Sequence, residues 1–108
     1  MRIVKVGEEK TMTPPRHHEL FARLFYNGEK ITVGRIWMSA FGGAEMDSHD
    51  SEHIFYILRG SAKMFNGKDT FFVEEGDSII VEPGEPHSLT GNGKVDCEYI
   101  VITSPPLG

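Results

Sequence analysis

Asp47, His49 and His53 stand in the stretch DSHDSEHIFYILRG (47–60), and His87 follows a Pro-Gly turn in GDSIIVEPGEPH (76–87). Three of the five histidines and one carboxylate thus sit at the edges of predicted strands. Imidazole and carboxylate are the ligands of catalytic-type divalent metal sites. Side chains two apart on a strand share a face. Asp47 therefore goes with His49, His53 with Phe55 and Ile57, and His87 with Leu89. Strands that turn these faces inward bring the imidazoles together in a pocket walled by Phe55, Ile57 and Leu89. Such walls around a few polar groups describe a small-molecule site, and they strengthen the field of a bound cation.

The elements that must position these groups are short. Apolar segments separated by turn signals predict strands over Ile3–Val6, Leu20–Tyr26, Ile31–Ala40, His53–Leu58, Ala62–Phe65, Thr70–Val73, Ser78–Val81, His87–Thr90 and Cys97–Thr103. Asn27-Gly28, Asn66-Gly67 and Asn92-Gly93 supply the positive φ angles that tight turns need. Thr11–Glu19 reads as a loop, with at most one helical turn at Arg16–Phe21. No stretch carries a long helical periodicity. The prediction is an all-β chain, an antiparallel sandwich or barrel.

At 108 residues the chain predicts one domain. A net charge of -5 argues against nucleic acid, whose phosphates call for clustered Lys and Arg. The single Cys97 excludes an internal disulfide, reads as a small buried hydrophobe, and suits a cytoplasmic setting. No apolar run has the length of a membrane span. Ile54 to Leu58, Ile79 to Val81 and Ile100 to Ile102 are apolar without alternation. A barrel strand buries one face, so a partner chain is expected on the other, and a homodimer follows.

The two stretches together resemble the small single-domain cupins. Gly60 closes a first motif in which His53 stands seven residues earlier and His49 four before that. The first ligand position of the pattern, ordinarily His, falls on Asp47. Gly76, Asp77, Val81, Pro83, Gly84, Pro86 and His87 match the second motif, with Glu82 where a Pro is usual. The resemblance covers Gly34 to Thr103. It implies a jelly-roll barrel, here about residues 31 to 104 behind an N-terminal arm of residues 1 to 30. It also implies a metal held by His49, His53 and His87, with Asp47 as a fourth ligand or a base acting through water. Such a donor set suits one divalent iron, manganese, nickel or zinc ion.

Two functions follow from the resemblance. One is a metal-dependent enzyme acting on a small organic molecule, of dioxygenase, isomerase or lyase type. The other is a cupin that captures a small ligand or metal without turnover. Taken singly, each histidine reads as a satisfied strand-end residue; the three at this spacing read as ligands. Glu52 is a candidate to orient an imidazole, and Arg35 and Arg59 are candidates to bind a substrate carboxylate. His17 and His18 read as surface loop. Trp37, Met38, Phe41, Met46 and Met64 read as core.

Overall fold

The computed structural model describes residues 1–106. Its nine strands are β1 (Lys10–Met12), β2 (His17–Asn27), β3 (Thr32–Ala44), β4 (Glu52–Arg59), β5 (Ser61–Phe65), β6 (Thr70–Glu74), β7 (Ser78–Val81), β8 (Ser88–Gly91) and β9 (Cys97–Ser104). Every pairing is antiparallel. The order β6-β5-β8-β3-β9-β4-β7 leaves β6 and β7 as the two ends, and β2 and β1 add to the other side of β3. The long strand β3 pairs with β9 through Thr32–Met38 and with β8 at Gly43, so one strand serves both halves of a curled sheet. The result is the expected all-β jelly-roll barrel. No helix long and apolar enough to cross a membrane occurs among the described residues.

Alternation builds the core. Ile36 and Met38 on β3, Phe55 and Ile57 on β4, Met64 on β5, Leu89 on β8, and Cys97 and Tyr99 on β9 face inward and are buried. The same alternation turns Trp37 and Phe41 outward, at 40% and 69% exposure, so these two are not core. Gly60 joins β4 to β5 with φ +79, and a Cβ there would stand 2.0 Å from the Asp96 carbonyl oxygen. Only glycine makes that turn.

The N-terminal part departs from expectation. No helical turn forms at Arg16–Phe21. Residues from His17 onward pair with β3, and Leu20 and Ala22 are buried at strand spacing. Lys10–Met12 adds the short strand β1 within and beside the expected loop. Ile3–Val6 forms no strand, and Ile3 and Val6 are exposed. Three β-prone residues and a lysine without a neighbouring ladder have nothing to hold them extended.

Candidate metal centre

His49, His53 and His87 reach one place by three routes. His53 lies near the start of β4, flanked by Val81 on β7 and Thr103 on β9, and is buried at 3% exposure. Its face of β4 continues inward as Phe55 and Ile57. His87 immediately precedes β8 and exchanges two backbone hydrogen bonds with Asp47, at 3.0 and 2.9 Å. His49 sits in the β3–β4 loop, where its carbonyl accepts the Gly84 N–H at 2.6 Å. Gly84 has φ +80, so the Pro-Gly turn of the second stretch is what fastens the loop of the first.

The three rings form a near-regular triangle. Their centroids are 5.2 Å apart for His49 and His53, 5.4 Å for His49 and His87, and 5.1 Å for His53 and His87. One ligand nitrogen from each lies within 4.8 Å of the others. Ligand atoms about 2.1 Å from a tetrahedral metal stand about 3.4 Å apart, so a modest inward movement would close the set.

Hydrogen bonding selects the inward nitrogens. His87 Nδ1 lies 3.0 Å from the Glu85 carbonyl oxygen, which can only accept. Nδ1 therefore bears the proton and Nε2 keeps a lone pair. His53 Nδ1 lies 2.9 Å from Thr103 Oγ1. His53 Nε2 is the one buried side-chain nitrogen or oxygen among the described residues without a hydrogen-bond partner. Leaving such an atom unmet costs about 1–3 kcal/mol, and a metal ion among the three converging imidazole nitrogens would meet it. Burial, reinforced by the neighbouring His87 and His49 charges, lowers the His53 pKa to about 4. The ring is thus neutral, as a ligand must be, at ordinary pH.

Asp47 stands beside the triangle and outside the three-nitrogen cluster. Its Oδ2 is 3.6 Å from His49 Nε2 and 3.2 Å from Arg16 Nη1, and its Oδ1 accepts the Ser48 N–H at 2.8 Å. Desolvation pushes its carboxyl upward, but the Ser48 N–H and the charges of His49, Arg16 and His87 outweigh that and hold it below the usual range. Arg16 also donates to Glu45 and to the Met46 carbonyl, both at 2.9 Å. A segment read as loop therefore fixes the position of Asp47.

Other residues fall elsewhere. Arg35 and Arg59 both pair with Glu98 on the outer face of the sheet, at 2.7 and 2.9 Å. Glu52 is exposed, and Thr103 takes the orienting role considered for it. His17 Nδ1 meets the Pro15 carbonyl at 2.7 Å, His18 is exposed, and neither joins the cluster. Arg16 and Thr103 are the two contributors missed from sequence. A strand-terminal Thr carries no local signal; only the β4–β9 register places it opposite His53.

The family profile described as Cupin domain matches residues 38–103, which span all three histidines and both motifs. The chain belongs to the cupin family. This cupin is 29% identical to an uncharacterized protein of Methanocaldococcus jannaschii, over 98% of this chain and 90% of that one. It is 28% identical to an oxalate-binding protein of Thermotoga maritima, over 79% of this chain and 70% of that one. Among solved structures, the polyketide cyclase RemF of Streptomyces resistomycificus superposes with a TM-score of 0.83 at 23% identity, covering 98% of this chain and 82% of that one. A predicted oxalate decarboxylase of Thermotoga maritima superposes with a TM-score of 0.82 at 16% identity, covering 98% and 100%. At these identities the superpositions speak for the fold.

Proposed function

We propose that this cupin holds one divalent transition metal on His49, His53 and His87 and is a metal-dependent enzyme acting on a small organic molecule. The observation that carries this reading is the buried, unpartnered Nε2 of His53 inside a triangle of imidazoles. When bound, the metal supplies Lewis acidity or, if redox-active, dioxygen chemistry. Thr103 and the Glu85 carbonyl orient two of the rings. Asp47, steadied by Arg16, stands where it would serve as a fourth ligand or hold a proton beside the site. Iron, manganese, nickel and zinc are the candidate ions.

One observation favours a second reading, capture of a ligand without turnover. Asp47 is the carboxylate beside the imidazoles, and it is already committed to Arg16 and the Ser48 N–H. The similarity to an oxalate-binding protein suggests a small carboxylate as the ligand for that case. We read residues 1–108 as a single domain that works as a homodimer in the cytoplasm. The apolar outer strands and the single buried thiol support that reading.

Elemental analysis of the untagged protein beside His87→Ala tests the metal. About one equivalent in the parent, lost in the variant, is expected. A parent that stays empty after reconstitution with each of the four ions overturns the reading. Calorimetric titration of loaded protein with small carboxylates, with consumption followed in the same cell, separates binding from turnover.

A further inference from the structure

Arg35, Arg59 and Trp37 take no part in the metal centre and meet elsewhere, on the outer face of the sheet. Strand parity places them there. Leu20 and Ala22, Ile36 and Met38, and Cys97 and Tyr99 are buried, so the residues between and beside them point outward. These are Phe21 and Arg23 on β2, Arg35 and Trp37 on β3, and Glu98 on β9. Register makes them neighbours. Phe21 stands opposite Trp37, Arg23 opposite Arg35, and Trp37 opposite Glu98. The five side chains line a hollow of about 290 Å³, at the small end of the range for small-molecule sites.

The charges in the hollow are unevenly matched. Glu98 is 16% exposed and has both oxygens engaged. Arg35 donates to Oε2 from Nε and Nη2, at 3.2 and 2.7 Å, and Arg59 donates to Oε1 at 2.9 Å. The Arg35 hydrogen bond, with the charges of Arg59, Arg35 and Arg23, holds the Glu98 carboxyl below the usual range against the cost of burial. Arg23 lies over Phe21, 5.6 Å from the ring centroid. Among the described residues, neither its guanidinium nor Nη1 of Arg35 has an acceptor. Glu9 feels both guanidiniums, but backbone N–H groups hold it, that of Gly7 at 2.7 Å, and it does not line the hollow. Guanidiniums pair with carboxylates through parallel N–H groups and stack on flat π surfaces. Trp37, 40% exposed, and Phe21, half-buried, supply such a surface beside the free donors. The missing partner is therefore an anion with a flat apolar body.

We propose that this hollow binds a small aromatic carboxylate, its ring against Trp37 and Phe21 and its carboxylate between Arg23 and Arg35. The site is separate from the metal centre and does not depend on it, because His53 faces the inside of the sheet.

Trp37 is the single tryptophan of the chain, so its fluorescence reports on this hollow directly. Benzoate is the probe, titrated into the protein as purified and again after chelation of metal. A saturable change with the same midpoint in both preparations is expected. The Trp37 indole N–H in proton–nitrogen correlation spectra should shift with that midpoint. Cyclohexanecarboxylate, which has the charge but no flat ring, should bind about 3- to 10-fold more weakly. Arg23→Gln should weaken benzoate about 10-fold, and Arg23→Lys less, because Lys keeps the charge without the fork. Absence of saturable binding overturns the proposal, whether a second copy covers the face or water does. Binding that is unchanged by Arg23→Gln, or that vanishes with the metal, puts benzoate elsewhere and overturns it too. Should Arg23→Gln misfold, the wild-type indole N–H decides: a saturable shift supports the site, and a stationary signal refutes it.

Discussion

The two faces of β4 do different work with one stretch of chain. The inward residues His53, Phe55 and Ile57 are 3%, 8% and 0% exposed, whereas the outward Ile54 and Tyr56 are 42% and 43% exposed. Inside, a polar ring is kept without a hydrogen-bond partner on its second nitrogen. Outside, large apolar side chains stay in solvent. Each is a departure from what stability of a lone domain asks. The inner departure is the one on which the proposed metal site rests.

The comparison breaks most sharply at two isoleucines on the same strand. Ile57→Ala should cost about 2–5 kcal/mol of unfolding free energy, because it leaves a cavity in a fully packed site. Ile54→Ala should cost far less, because its side chain is 42% exposed and leaves no cavity. Urea melts of the two variants measure both, and equal losses would show that the two faces are not distinct.

Acid titration of chelator-treated protein sharpens the inner half. The His53 pKa is about 4 in the fold against 6.5 for the unperturbed side chain. The unfolded chain therefore takes up its proton first as pH falls. Above pH 6.5 this residue adds no pH dependence, and stability is lost between there and about 4. The loss is on the order of 3 kcal/mol or less. Urea midpoints of the metal-free protein that stay level across that interval would contradict a buried neutral His53.

A smaller effect is expected from Thr103→Val, which keeps the shape of the side chain and removes the hydroxyl opposite His53 Nδ1. Metal affinity should fall about 10- to 100-fold. Competition with a chromophoric chelator reads the change, and an undiminished affinity would mean that Thr103 orients nothing.

Much of this was legible in the sequence because the signals are local. Ser78–Val81 is bounded by turn residues and forms β7 over those same four positions. His49, His53 and His87 carry a recognisable spacing, and the structure gathers them. What escaped depends on pairing between distant segments. β2 begins at His17 because β3 is long enough to extend alongside it, which a loop-like Pro-Pro-Arg-His-His string conceals. Trp37 and Phe41 are expected in the core as large apolar residues usually are, but strand parity turns them outward. Arg16 reaches Asp47 only because the Arg16 carbonyl binds the Glu45 N–H.

The hydrogen bond from Gly84 to the His49 carbonyl has a kinetic consequence. His49 and His53 are near neighbours in the chain, whereas His87 comes beside them only through pairing with the distant second stretch. An ion spanning all three would join the β3–β4 loop to the β7–β8 turn as a reversible cross-link across the closing seam of the roll. Its main dividend would then be a longer lifetime of the closed barrel, since opening that seam would first require giving up a ligand.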